Sequence, residues 1–175
     1  MKLKFMKRTA KIELFKEYLK FSVGHFTIFS ATERERLHGH NYRVKATFEA
    51  EVGDNGLTVD YNILKNKVSE LCDSLDEYFI IPTKSPHLII QELADEKIQI
   101  QHNQDELIFY KKDIKLLPIA NTSVEDLSWY LLEELKKDST LIEECKIHSL
   151  EIGIGSGDGQ FGYSNWRRSE QDLED

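Results

Sequence analysis

Two of the chain's histidines stand two residues apart in Leu37-His38-Gly39-His40-Asn41-Tyr42. The residues that follow, Arg43, Val44, Lys45, Ala46, Thr47, Phe48, Glu49 and Ala50, alternate polar with apolar, the period of a strand with one buried face. Side chains two apart on a strand share a face, so a strand starting near Leu37 points His38 and His40 the same way. A third imidazole, His25, closes an earlier strand-like run, Phe21-Ser22-Val23-Gly24-His25. Three neutral imidazoles converging from adjacent strands suit a zinc ion with one coordination position left open, which is how catalytic zinc is held. The same spacing also describes an ordinary surface or hydrogen-bonded histidine pair, and the residues alone leave both readings open. His87, His102 and His148 have no metal-like neighbours in sequence and read as ordinary surface or core residues.

The elements that must position these rings follow from the pattern of the chain. Residues 12–19 fit a strand or a short helix leading into the Phe21 to His25 run, and 30–36 form a charged loop that delivers Glu33, Arg34, Glu35 and Arg36 beside the imidazoles. Gly53-Asp54-Asn55-Gly56 signals a turn. Asp60 is placed to cap a helix whose apolar stripe is Leu64, Val68, Leu71 and Leu75. Pro82 and Pro86 mark a loop, and within 88–114 two polar-apolar runs around His102-Asn103-Gln104-Asp105-Glu106 predict a hairpin. Ser123 caps a second helix, with Glu125 and Asp126 in its first turn and Val124, Leu127, Leu131 and Leu135 as its stripe. Two strands, 147–154 and 160–166, flank the turn Gly155-Ser156-Gly157-Asp158-Gly159, which reads as a hairpin turn or a phosphate nest. The tail, 167–175, is charged and expected to fray. Strands paired by short turns, with helices between the pairs, predict an α+β fold: an antiparallel four-stranded sheet carrying two helices on one face, plus the inserted hairpin.

At 175 residues the chain is expected to form one domain, 1–175, with the insert at about 88–114. Its net charge of −8, from 31 acidic and 23 basic residues, argues against a nucleic-acid surface but leaves room for a phosphorylated small molecule. No apolar run approaches the roughly 20 residues of a membrane span, and the basic start (Lys2, Lys4, Lys7, Arg8, Lys11) lacks a signal-peptide core. A cytoplasmic location, with no membrane partner, is the expectation. Cys72 and Cys145 lie in helix-like surroundings without C-x-x-C spacing and read as buried thiols. Trp129, Trp166, Phe21, Phe26 and Phe29 read as core or interface packing.

Phe-Ser-x-x-His followed by Leu-His-Gly-His-Asn-Tyr resembles the zinc motif of the pyruvoyl-tetrahydropterin and carboxy-tetrahydropterin synthases, enzymes of the tunnelling fold. The resemblance covers roughly residues 18–165. It includes Gly56-Leu57-Thr58-Val59-Asp60-Tyr61 and Thr122-Ser123-Val124-Glu125-Asp126-Leu127 at the starts of the two helices, and Gly159-Gln160 with Tyr163 in the last hairpin. It implies that His25, His38 and His40 bind zinc, that Thr122 and Ser123 contact a pterin ring, and that the chain assembles as a homo-oligomer, a trimer or a hexamer of two stacked trimers.

The chain also departs from the family's pattern. Most members carry a cysteine shortly before His-Gly-His. None of residues 26–37 is cysteine, and Glu35 stands three residues before His38. Glu-x-x-His-Gly-His resembles the subgroup in which a glutamate replaces that cysteine and the product is hydroxymethyl-dihydropterin. Glu35 is therefore the expected general base, given a pKa near working pH; read without the family, it is a solvated loop carboxylate paired with Arg34 or Arg36. The family's Asp-His pair becomes Asp76-Glu77, so Asp76 is a catalytic candidate without its relay histidine, or only a cap. The place of the family's pterin-anchoring glutamate falls at Gly155 or Ser156; Asp158 and Glu151 are the candidate substitutes, although neither aligns with it. The resemblance implies a zinc-dependent lyase acting on 7,8-dihydroneopterin triphosphate, by triphosphate elimination or by side-chain cleavage to 6-hydroxymethyl-dihydropterin. The alternatives are a 6-carboxy-tetrahydropterin synthase serving deazaguanine synthesis, and a non-catalytic homologue that binds zinc and a ligand.

Overall fold

The computed structural model describes residues 8–157 and 159–169; Lys2, Lys4 and Lys7 of the basic start, Asp158 and the tail from 170 onward lie outside them. The central pair is β2 (Lys20–His25) and β3 (His38–Glu51), antiparallel and in register from Lys20 opposite Arg43 to His25 opposite His38. The far half of β3 pairs on the same edge with β1 (Thr9–Leu14), so the ambiguous 12–19 run divides into the end of one strand and the turn into the next. On its other edge β3 pairs with β9 (Ile147–Gly157), which pairs with β10 (Gln160–Arg167). Of these, β2, β3, β9 and β10 are the four antiparallel strands expected, and β1 adds a fifth.

The sheet extends further than the pattern predicts. Beyond β2 it adds β4 (Phe79–Pro82) and β8 (Ile114–Leu117), both parallel to their neighbours, for an order of β10-β9-β3-β2-β4-β8. Four-residue runs are too short to show a period, and parallel partners are joined only through long connections, so neither strand has a local signature. The insert between them is a three-stranded sheet, β5 (Ile89–Leu93), β6 (Lys97–His102) and β7 (Asp105–Tyr110), rather than a two-stranded hairpin.

The first helix, α1 (Tyr61–Leu75), is capped by Asp60, whose carboxylate accepts from the Asn62 N–H. The second, α2 (Val124–Lys136), is capped by Ser123, which accepts from the Asp126 N–H at 3.3 Å. Their buried stripes, Leu64, Val68, Cys72 and Leu75 on α1 and Leu127, Leu131, Leu132 and Leu135 on α2, join Phe21, Val23, Tyr42, Val44, Phe48, Leu150, Ile152 and Ile154 of the sheet in one core. Cys72 takes the fully buried place expected for Leu71, which is only half-buried. Both thiols are free and buried. A short third helix, α3 (Ser139–Glu144), leads into β9. Among the described residues no helix is long and apolar enough to cross a membrane.

A second core lies under the insert: Phe26, Ile28, Ile81, Ile98, Ile100 and Ile114, with Phe79 and Phe109 stacked at 4.8 Å beside it. Gly24 makes this junction possible, because a Cβ there would come within 2.4 Å of the Phe79 ring. Of the aromatics read as core or interface packing, Phe21 and Phe26 are buried in the core and Trp166 is partly buried against it, whereas Phe29 and Trp129 are exposed on the single chain.

Truncating a core residue of α2 should cost far more than truncating an exposed apolar one. Leu131→Ala is expected to destabilise by about 2–5 kcal/mol in urea denaturation at fixed protein concentration. Leu57→Ala, at a side chain 65% exposed, should stay within about 0.5 kcal/mol.

Candidate functional site

The register of β2 and β3 assembles the histidine group. His25 stands opposite His38, while His40 lies two residues along β3 on the same face. That face is the one the helices cover, as Phe21, Val23, Tyr42 and Val44 are all buried on it. At this end of the sheet the covering is the start of α2, and the imidazoles occupy the opening. Ring centroids are 4.4 Å apart for His25 and His38, 5.2 Å for His25 and His40 and 4.8 Å for His38 and His40. One nitrogen from each ring can be chosen so that all three lie within 4.8 Å of one another.

Hydrogen bonds orient two of the rings. Thr122 donates its hydroxyl to the Phe26 carbonyl at 2.7 Å, so toward His25 Nδ1, 3.2 Å away, it can only accept. His25 therefore carries its proton on Nδ1 and turns the Nε2 lone pair inward. His38 Nδ1 lies 2.8 Å from the Arg36 carbonyl, an acceptor only, which fixes the same tautomer. With Nδ1 protonated on both rings, Nε2 is the free donor. His38 Nε2 and His40 Nε2 are 3.1 Å apart, close to the separation of two nitrogens each about 2.0–2.1 Å from one tetrahedral ion. A donor set of three imidazoles, with second contacts to a hydroxyl and a carbonyl, fits zinc.

Electrostatics agree with this reading. Burial, reinforced by the neighbouring His38 and His40, lowers the His25 pKa to about 4, which keeps the ring neutral and able to ligate. Burial, with the charge of Glu35 added, raises the Tyr42 hydroxyl above its usual range, so it stays protonated; its oxygen lies 3.2 Å from His25 Nε2, and a metal bound there would take the lone pair that otherwise accepts from it.

The rings line a cavity of about 320 Å³ shared with Thr27, Glu35, Tyr42, Thr122, Ser123, Glu125, Ser156 and Gln160. Glu35 Oε2 lies 3.8 Å from His38 Nε2 and accepts the Thr27 N–H at 2.9 Å. Its carboxylate pairs with neither Arg34 nor Arg36. Arg34 instead reaches the backbone carbonyl of Glu35 and the side chain of Asp105. Partial burial pushes the Glu35 carboxyl up, but the Thr27 hydrogen bonds and the nearby His38 and His25 outweigh it and hold the pKa below the ordinary glutamate value. Where the sequence predicts a base poised near working pH, these contacts instead favour the ionised carboxylate.

Of the residues singled out from the sequence, His25, His38, His40, Glu35, Thr122 and Ser123 come together here. Asp76 does not line this cavity: it ends α1 and accepts the Ser22 N–H at 2.6 Å, tying the helix to the edge of β2. Glu151 lies along β9, opposite Thr47 and Asn165. One lining residue that the sequence pattern explains only as a first-turn acid of α2 is Glu125. In the fold Glu125 lines the cavity, with Ser156 and Gln160 also on its wall. A helical side chain leans back over the turn before it, and that rule applied to Thr-Ser-Val-Glu was the available signal.

Fold and site together define a tunnelling-fold protein whose histidine-lined cavity sits at the open end of its helix layer. A model of 6-pyruvoyl tetrahydropterin synthase matches residues 13–153, and the chain belongs to that family. It is 32% identical over 143 residues, 81% of this chain and 86% of the relative, to a Methanocaldococcus jannaschii protein provisionally named 6-carboxy-5,6,7,8-tetrahydropterin synthase. Among solved structures, the 6-pyruvoyl tetrahydropterin synthase of Plasmodium vivax is similar at a TM-score of 0.86 and 29% identity, covering 92% of this chain and 99% of that one. The Plasmodium falciparum enzyme gives 0.85 and 31%, over 91% and 99%. Two further Plasmodium vivax structures are of variants in which a glutamate, named as a catalytic residue, is replaced by alanine or by cysteine.

Two outcomes follow from this geometry. Thr122→Val removes the acceptor behind His25 and should weaken zinc binding about 10- to 100-fold in a chelator competition, with the fold intact by circular dichroism. In metal-free protein, His25 binds its proton only near pH 4 when folded but near 6.5 when unfolded, so the unfolded chain takes up more protons in between and stability falls as the pH drops through that window. Melting temperatures from pH 7 to 4 should show this fall in the parent chain and a shallower one in His25→Gln.

Proposed function

We propose that the chain is a zinc-dependent lyase acting on 7,8-dihydroneopterin triphosphate, with His25, His38 and His40 as metal ligands and Glu35 as the general base. The observation that carries this reading is the placement of the Glu35 carboxylate on the wall of the cavity the imidazoles line, 3.8 Å from His38 Nε2. Its chain position, three residues before His-Gly-His, also suits a family member in which glutamate takes the place of cysteine. The catalytic glutamate named in the Plasmodium vivax variants supports the same assignment.

Zinc, when bound, would polarise the hydroxyls of the substrate's side chain and make them more acidic. Glu35, ionised and oriented by the Thr27 N–H, accepts the proton that this releases. Removal of the proton from the second side-chain hydroxyl turns that carbon into an aldehyde as its bond to the first side-chain carbon breaks; the aldehyde fragment leaves with the triphosphate, and the electron pair, held on the conjugated pterin ring, takes a proton back at the first carbon to give the hydroxymethyl product. Removal of a carbon-bound proton instead expels the triphosphate. Glu125 supplies the carboxylate acceptor that the ring's amino and N–H groups need, in place of the glutamate missing at Gly155 or Ser156, and Thr122 and Ser123 present backbone groups beside it. Asp76 keeps its contact with the β2 edge and serves catalysis by holding that strand. Assembly as a trimer or hexamer belongs to the same proposal.

A second reading, 6-carboxy-tetrahydropterin synthase, is favoured by the names of the archaeal relatives. The absence of cysteine from residues 26–37 weighs against it.

Incubating zinc-loaded protein with dihydroneopterin triphosphate and identifying products by mass spectrometry separates the readings: hydroxymethyl-dihydropterin or a pyruvoyl product supports the first, and a carboxy-tetrahydropterin the second. No turnover with zinc tightly bound would leave only a ligand-binding homologue. Glu35→Gln should lower kcat by about 10²–10⁴-fold while zinc content stays at the parent level.

A further inference from the structure

The insert is the part of the chain that the site's chemistry does not use, yet it grips the loop that carries Glu35. Residues 26–37 fold into a small hairpin of their own, with Ile28 bridged to Arg34 and the Glu35 N–H bonded to the Thr27 carbonyl at 2.8 Å. Its inner side is hooked by Asn121, which accepts from the Ile28 N–H and donates to the Ile28 carbonyl. Its outer side meets the tip of the β6–β7 hairpin. There His102, buried at 3% exposure, donates from Nε2 to the Ser30 carbonyl at 2.9 Å, and Asp105 accepts from an Arg34 terminal nitrogen at 2.8 Å. The other terminal nitrogen of Arg34 donates to the Glu35 carbonyl at 2.9 Å, while the guanidinium lies over the Phe26 ring at 5.2 Å. His102 and Asp105 face each other across the two-residue turn, where Asn103 takes a left-handed conformation that asparagine tolerates.

We infer that Asp105 and Arg34 form a clamp through which the insert sets the position of Glu35, making both positioning residues for the proposed base. One guanidinium bridges two partners far apart in sequence, and the bridge ends on the backbone of the residue whose carboxylate faces His38. Arg34 Nε is buried without a hydrogen-bond partner, a cost that an aliphatic side chain in the same place would avoid. The planar fork is retained because it spans both contacts with fixed geometry, which a flexible lysine does not. His102, an ordinary histidine by sequence, is the second fastening of the same two tips.

This inference rests on Glu35 being the base, and its test has one arm that does not. Hydrogen exchange on the zinc-loaded full chain should show the amides of 27–36 exchanging about tenfold faster in Asp105→Ala, near-parent protection in Asp105→Asn, and no change in Glu92→Ala, which cuts the insert's Lys111 ion pair instead. In turnover assays Asp105→Ala should lower kcat by about 10- to 100-fold with KM within about twofold, and Asp105→Asn should recover most of it. If the parent chain turns nothing over, the functional reading fails while the exchange arm still decides the clamp. Unchanged protection of 27–36 in Asp105→Ala overturns the inference. So does a loss of protection spread over β9 and β10 in both Asp105 variants, since the residue would then be holding the whole fold.

Discussion

The antiparallel register of β2 and β3 is the constraint on which the site depends. It sets His25 across from His38, and the two-residue period of the strand adds His40 on the same face. Slipping that pairing by one residue would turn His25 away from the other two rings and would also expose Phe21 and Val23. The register that buries the core is thus the register that gathers the donors. Core formation and site formation are one event in this part of the sheet.

Around that pair, the fold handles the polar groups it buries by giving each a partner that also orients it. Thr122, fully covered, accepts from one imidazole and donates to the Phe26 carbonyl, so the loop before α2 and the end of β2 hold each other. Asp126 ties the Ala120 and Asn121 N–H groups to the first turn of the same helix, and Asn121 hooks the Glu35 loop. A chain of short polar contacts therefore runs from the α2 cap to the proposed base. On the far side the insert's own apolar core carries that loop, which explains why an excursion of this length can pack firmly rather than trail in solvent.

Legibility in the sequence followed the range of the interaction. The His-x-His face, the caps at Asp60 and Ser123 and the two apolar stripes are local patterns with a period, and the fold contains them. Phe79-Ile80-Ile81-Pro82 and the 114–117 run are four residues each and pair in parallel through distant connections, so nothing local marks them as strands. As a first-turn acid Glu125 already has an adequate explanation in the helix dipole, and its place on the cavity wall depends on strands distant in sequence on both sides, those of His25, His38 and His40 and of Ser156 and Gln160. His102 and Asp105 were unreadable for the same reason: their partners, Ser30 and Arg34, lie about 70 positions back in the chain.

Under the proposed function, three imidazole nitrogens hold one ion whose remaining position opens on the cavity. X-ray absorption at the zinc edge of the metal-loaded protein tests it most directly. Three imidazole nitrogens at about 2.0–2.1 Å with one exchangeable light ligand is the predicted shell. A shell of oxygens without imidazole scattering, or one closed by four protein donors, would contradict it.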